Sequence, residues 1–371
     1  MEAKTSSLEQ TTETKKEKDD DSKAYQRKAK IVALREGLVR CILHFKVAGF
    51  ILFLACVPLP IFLKANSWLV PKLIFSTIVR WPAPFVNLSC PSDFGLNATR
   101  NFYMDVEDGI RVGAWHTLPA TLAEESDLPW DAYEDTLKSG KTIFLYLHGN
   151  SDTRGGHHRV QLYKFLSKLD AHVLTIDYRG YGDSTGSPSV EGVVKDAHFA
   201  YKWLKEKSGG APIFLWGHSL GTAITTKLAH KLCAEDDHPI GVILESPFNN
   251  MVDAAHHHPF VYPFRMVPGF LEYITESIAE HEVNFSSDHY ITEVTPHILI
   301  LHAEDDLVVP FHLGHKLYQQ AKKSRSKHTG GVELVAFQGH HGYGHKHICK
   351  APELPDIVMN FVEKAYADAR K

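Results

Sequence analysis

The pentapeptide Gly217-His218-Ser219-Leu220-Gly221 stands between the apolar run PIFLW and the helical run TAITTKLAHKL. A serine on a sharp turn from a buried strand into a helix has an exposed hydroxyl, and the flanking glycines let the backbone pack closely on both sides. The first amides of the following helix point to the same place. A serine hydroxyl is a weak nucleophile until a base accepts its proton, and that base must be oriented by a carboxylate. Both residue types follow at the ends of apolar runs. HILILH leads into Ala303-Glu304-Asp305-Asp306-Leu307-Val308-Val309-Pro310, and VELVAF leads into Gln338-Gly339-His340-His341-Gly342-Tyr343-Gly344-His345. The chain order serine, acid, histidine points to acyl transfer through Ser219. Asp306 is the preferred acid with Asp305 as fallback, and His345 is the preferred base. The amide of Leu220 is placed to meet the negative oxygen of a tetrahedral intermediate.

Such residues need a scaffold that brings strand ends together. From about residue 100 onward, short apolar runs alternate with amphipathic helical patterns, the rhythm of a mainly parallel sheet covered by helices on both faces. Phe102, Met104 and Val106, then Ile110, Val112 and Ala114, alternate around Asp108-Gly109 and predict an opening hairpin. Unalternating runs at Thr142 to Leu147, His172 to Asp177, Pro212 to Gly217, Gly241 to Ser246, His297 to His302 and Val332 to Phe337 predict strands buried on both faces. Val190, Val193, Val194, Ala197, Ala200, Tyr201 and Leu204 predict a crossover helix, and Ile357, Val358, Phe361, Val362 and Ala365 a closing one. The acidic stretch Leu122 to Leu137 has no period and predicts a solvated loop.

The segments HGNSDTRG, DYRGYGDSTG, GHSLG, LHAEDDLVVP and GYGHKHI together resemble the α/β-hydrolases over residues 101–371, and within them the membrane-anchored lysophosphatidylserine and monoacylglycerol lipases. The resemblance implies an α/β-hydrolase fold with an inserted cap. It implies a nucleophile at Ser219, an acid at Asp306 through the pattern D-x-x-V-P, and a base at His345. It also implies that the HG loop His148-Gly149-Asn150-Ser151 supplies a second oxyanion donor, the amide of Asn150. His148 is then a bracing residue, and Tyr178, Arg179 and Gly180 hold loops near the site. Epoxide hydrolases and dehalogenases of this fold need an aspartate where Ser219 stands. The implied activity is hydrolysis of lysophospholipid and monoacylglycerol esters with no cofactor and no metal. An acyl-protein thioesterase, or a scaffold that keeps the fold without turnover, is the alternative.

Residues 249–296, between two predicted strands, are longer than one connecting helix requires, which marks the cap. They carry Phe260, Tyr262, Phe264, Phe270, Tyr273, Phe285 and Tyr290, with Arg265 the one lysine or arginine. A cap of that composition suits an acyl chain or serves packing alone.

Residues 1–37 hold few large apolar side chains and are expected to form a disordered tail. Val47 to Leu63 is then uncharged for seventeen residues, and a span over 38–63 is long enough for a transmembrane anchor. Residues 64–100 form the expected membrane-proximal segment, in which Ser67 to Phe85 lies at the lipid headgroups or in the core. Arg27, Lys28, Lys30, Arg35, Arg40 and Lys46 crowd the N-terminal flank, which predicts a cytoplasmic tail and a lumenal catalytic domain, with the endoplasmic reticulum the expected membrane. Sequons at Asn87, Asn97 and Asn284 all fall on the lumenal side, where an oxidising setting also leaves the pairing of Cys90, Cys233 and Cys349 open.

With 44% hydrophobic and 23% charged residues in 371, the chain is neither disordered nor fibrous. A net charge of -4 leaves no basic excess for nucleic acid, so the expected partners are a lipid substrate and a membrane. The 24 histidines are mostly scattered and show no paired ligand spacing beside a carboxylate, so no metal is expected.

Overall fold

The computed structural model describes residues 30–51, 53, 58–77, 86–123 and 128–371, in two compact units, Met1–Ala65 and Asn66–Lys371. In the first, residues 30–51 are helical, and a second helix spans Pro58–Ala65. The helix starts ahead of Leu38, running through Arg35, Glu36 and Gly37 from Lys30. Among the described residues no helix is long and apolar enough to cross a membrane. Most of the expected tail, residues 1–29, and residues 52 and 54–57 of the expected anchor lie outside the described residues.

In the second unit eight strands form one sheet in the order β1-β2-β4-β3-β5-β6-β7-β8. They are β1 (Thr99–Glu107), β2 (Ile110–Thr117), β3 (Ile143–Leu147), β4 (His172–Ile176), β5 (Ile213–His218), β6 (Gly241–Glu245), β7 (His297–Ala303) and β8 (Val332–Phe337). The first two are the predicted hairpin, turning at Gly109 with φ +76°, and β2 joins β4 antiparallel. All pairs from β4 to β8 are parallel. Strands β3 to β7 are buried at every position, as their unbroken apolar runs require. Strand β8 departs from that expectation: it ends the sheet, and only Phe337 is fully buried.

Helices cover the sheet: α1 (Leu69–Phe75), α2 (His157–Lys168), α3 (Val190–Lys207), α4 (Leu220–Ala234), α5 (Met251–His257), α6 (Phe270–Glu280), α7 (Phe311–Lys323) and α8 (Leu354–Ala369). Ser189 caps α3 by accepting the Gly192 amide, and Val193, Val194, Ala197, Ala200, Tyr201 and Leu204 form its buried face. Leu354, Val358, Phe361, Val362 and Ala365 do the same for α8.

The acidic stretch Leu122 to Leu137 is not simply a solvated loop. Its second half forms a short helix, Trp130–Thr136, that buries Tyr133, with Leu137 buried just after it, and places Glu134 2.8 Å from Lys207. Packing of two apolar residues four apart overrides the absence of a longer period. Residues 249–296 do form an insertion between β6 and β7 that contains α5 and α6. It is two-sided: Phe270, Tyr273 and Phe285 are buried, whereas Phe260, Tyr262 and Met266 are exposed. Of the segment Ser67 to Phe85, α1 buries Val70 and Phe75 and exposes Trp68 and Leu73, and residues 78–85 lie outside the described residues. The cysteine question left open by the sequence resolves to no disulfide among these three. Cys90, Cys233 and Cys349 are all free, because their thiols face three different neighbours: Asn87, Thr295 and Gln161.

Candidate active site

The loops that leave β3, β5, β7 and β8 share the carboxyl edge of the parallel sheet, the usual place for sites in such folds. Ser219 sits between β5 and α4 at φ +53°, ψ −120°, a conformation that costs a non-glycine residue about 1–3 kcal/mol. Its amide donates to the carbonyl of Glu245 at 3.0 Å, and its carbonyl accepts the Thr222 amide at 2.9 Å. Both glycines of the turn are sterically required. A methyl group on Gly221 would strike the Leu147 carbonyl, and one on Gly217 would stand 2.5 Å from the Gly221 carbonyl oxygen.

The residues expected to work with Ser219 meet it. His345 Nε2 lies 2.9 Å from Ser219 Oγ, and His345 Nδ1 lies 2.7 Å from Asp306 Oδ2. With Nδ1–H donating to the carboxylate, Nε2 is left as an acceptor for the serine proton. The other oxygen of Asp306 accepts the amides of Val308 and Val309, both at 2.9 Å. Burial pushes this carboxyl upward, but its contacts with His302 and His345 outweigh burial and hold it well below the usual carboxylate range. Asp306 therefore stays charged at neutral pH.

Asp305 does not reach His345. Its Oδ2 accepts the Gly344 amide at 3.0 Å, which braces the loop just before the histidine. His340 and His341 are exposed; their rings meet at a tilt, and His341 stacks on Tyr343.

Gly149 places the HG loop against the turn, since a methyl group there would stand 3.0 Å from Ser219 Cβ. Asn150 follows it, and the Leu220 amide, first of α4, has no partner within its helix. His148 is buried with Nδ1–H donating to Gly149 O at 2.8 Å, and Tyr178 donates to His148 O at 3.0 Å. Burial, then the neighbouring Arg159 charge, lowers the His148 pKa, so the ring is a neutral brace. Arg179 pairs with Asp196 at 2.7 Å and with Glu107 at 2.7 Å, fixing the Tyr178 loop.

Three further residues serve the site and were not singled out from sequence. Arg159, buried in α2, donates to the carbonyls of Thr153 at 2.6 Å, Gly149 at 3.0 Å and Ser151 at 2.8 Å, with Asn150 O at 3.4 Å. It gathers the carbonyls of the HG loop on one side, although Ser151 and Asp152 take positive φ of 56° and 59°. His218 donates from Nε2 to the main-chain oxygen of His345 at 2.8 Å. Burial first, and the nearby His345 second, keep it neutral. Glu245 is buried beneath Ser219, with Trp216 Nε1–H donating to it at 2.9 Å. Position next to the nucleophile was the available signal for His218; nothing local marked Arg159 or Glu245.

The chain has known relatives. A family model described as serine aminopeptidase, S33, matches residues 138–275. Lysophosphatidylserine lipase ABHD12 of Danio rerio is 45% identical over 309 residues, 82% of this chain and 80% of that protein. The Mus musculus protein of that name is 44% identical over 343 residues, 92% and 83% of the two chains. Protein ABHD12B of Homo sapiens is 39% identical, covering 81% of this chain and 82% of its own. Among solved structures, an α/β-hydrolase from Vibrio vulnificus superposes with a TM-score of 0.60 at 18% identity, over 80% of this chain and 93% of that one. The Pyrococcus furiosus esterase Pf2001 superposes with 0.54 at 19% identity, over 76% and 96%. The structural likenesses concern the fold.

Proposed function

The chain belongs to the ABHD12 family of α/β-hydrolases, and we propose that it hydrolyses carboxylic esters of lysophospholipids, lysophosphatidylserine among them, and of monoacylglycerols through an acyl intermediate on Ser219. The observation that carries this reading is the continuous relay from Asp306 to His345 at 2.7 Å and from His345 to Ser219 at 2.9 Å. Ser219 Oγ attacks the ester carbonyl while His345 Nε2 takes its proton, and the amides of Leu220 and Asn150 receive the charge on the carbonyl oxygen. His345 then returns the proton to the leaving glycerol oxygen. A water activated by the same nitrogen cleaves the acyl-serine ester, releasing fatty acid and restoring the hydroxyl. Asp306 stays ionised throughout and stabilises the imidazolium.

The lipid substrate is supported by the names of the relatives and by the exposed Phe260, Tyr262 and Met266 of a cap with a single arginine. Residues 38–63 then act as a single-pass anchor, with a cytoplasmic tail and a lumenal catalytic domain in the endoplasmic reticulum. Support for this comes from the uncharged run Val47 to Leu63, its basic N-terminal flank, and the exposure of Asn87, Asn97 and Asn284, which are the expected glycan carriers.

The test is fluorophosphonate labelling of membranes holding the full chain, followed by fatty-acid release from a panel of lysolipids, monoacylglycerols and acyl-protein thioesters. Ser219→Ala is expected to lose labelling and turnover, with a drop in kcat of roughly a millionfold by the serine-protease precedent. Normal labelling of the folded variant would move the nucleophile elsewhere. Turnover of thioesters alone would make the protein a thioesterase, and no turnover of any member a scaffold. A glycosidase that leaves gel mobility unchanged, with the large unit open to protease from the cytoplasmic side, would reverse the topology.

A further inference from the structure

The last four carbonyls of a helix have no partner within it and must find one elsewhere. In α1 the account closes in an unusual way. Lys72 O accepts the Ser76 amide at 2.9 Å and Leu73 O accepts the Ser76 hydroxyl, so the helix satisfies two itself. The other two are satisfied from the site. Ile74 O accepts the side-chain amide of Asn150, and Phe75 O accepts the Tyr181 hydroxyl at 2.5 Å. The Tyr181 hydroxyl also stands 3.0 Å from Asn150 Oδ1, which itself accepts the Ser151 amide at 2.8 Å. A hydroxyl has one proton, and Tyr181 is placed to donate it to either oxygen, which ties Phe75 O and Asn150 Oδ1 to the same group. Phe75 is 1% exposed and meets Phe285 of the cap edge-on, ring centres 6.4 Å apart, so the end of α1 is clamped between cap and HG loop.

From this we infer that α1 is a positioning element of the oxyanion loop: its final two carbonyls, through Asn150 and Tyr181, set where the Asn150 amide stands relative to Ser219. The inference rests on the function proposed above. Arg159 already fixes the carbonyl side of this loop, so α1 trims the position of one donor and does not create it. Removing an oxyanion donor outright costs about a hundredfold or more in kcat, and displacing one costs less, on the order of tenfold. Helix α1 precedes β1 and exposes Trp68 and Leu73, so whatever holds those side chains also acts on the geometry of the reaction.

The experiment compares Phe75→Ala and Tyr181→Phe in the full chain, with Phe75→Leu as the conservative control. Measured on para-nitrophenyl butyrate are kcat and KM, together with the inhibition constant of an acyl trifluoromethyl ketone, whose hydrated or serine-bound oxygen occupies the donor site. Expected for the first two is a kcat about tenfold lower, KM within about twofold, and an inhibition constant raised by about the same tenfold. Phe75→Leu is expected to restore all three, and Tyr181→Phe to melt within a few degrees of the parent. Unchanged kcat and inhibition constant in both variants would overturn the inference. So would a fall in kcat that tracks melting temperature with inhibitor affinity intact, because that is a structural effect alone. If Ser219→Ala proved as active as the parent, the proposed function would fail first and take this inference with it.

Discussion

Replacing Asp306 by asparagine keeps the shape of the side chain and exchanges one oxygen for an amide group. The structure decides which one. Oδ1 accepts two main-chain amides, from Val308 and Val309, at 2.9 Å each. Turning an NH2 toward them would set three donors against one another with no acceptor, a cost of about 1–3 kcal/mol for each group left unsatisfied. The asparagine oxygen therefore stays with the valines, and the NH2 faces His345 Nδ1, where the carboxylate stood at 2.7 Å. Nδ1 must then accept, the ring proton moves to Nε2, and the nitrogen 2.9 Å from Ser219 becomes a donor unable to take the serine proton. The equivalent change in a serine protease lowers kcat about ten-thousandfold, roughly 5.5 kcal/mol of barrier, and the same loss is expected here. The assay is kcat for a soluble ester, with the labelling rate of a fluorophosphonate as a second measure and the melting curve as a check on folding. A folded Asp306→Asn variant within about tenfold of the parent would refute the tautomer argument. So would Asp305→Asn as the more damaging change, since Asp305 touches Gly344 and not the imidazole.

Two other outcomes follow from the same contacts. Glu245 is pushed up to about 7 by burial, with the Asp306 charge adding to this and the Trp216 hydrogen bond opposing it. Its folded pKa lies above the ordinary 4.5, so its stabilising effect is complete below pH 4.5 and is lost as pH rises through about 7, a difference on the order of 3 kcal/mol. Glu245→Gln removes this slope, and its melting temperature should gain on that of the parent between pH 5 and pH 8; parallel melting curves would sink the idea. His345→Ala should be inactive, while His340→Ala and His341→Ala should retain most of the parent kcat, because both rings are exposed and meet only each other and, for His341, Tyr343. A folded but inactive His341→Ala would show that the base is wrongly assigned.

Much of this architecture is written locally. The runs at β3 to β7 are continuous in sequence because both their faces are covered, and the turn around Ser219 is marked by the two glycines that its crowding demands. Asp306 was legible through the aspartate and Val-Pro spacing of its loop, whose following amides bind it. The supports behind these residues were not. Arg159 acts on main-chain carbonyls, which every residue has and no residue type announces. Tyr181 reaches a carbonyl 106 positions away, a separation that only the closed fold brings together. The helix Trp130–Thr136 was missed because two buried side chains, Tyr133 and Leu137, are too few to show a period.

Arg159 carries one more consequence. Its guanidinium makes no ion pair among the described residues; main-chain carbonyl oxygens surround it in place of a counter-ion. Were one peptide plane of the HG loop to rotate by half a turn, a buried cation would lose one of its few ligands and an amide would point at it instead. Each charge-assisted bond forfeited costs about 1.5–3 kcal/mol, before any repulsion is counted. Loops elsewhere can switch between two states by such a rotation; here the buried guanidinium opposes it. Adjustment of the donor beside Ser219 is therefore confined to small shifts within one loop conformation and excludes a flip of its peptide planes.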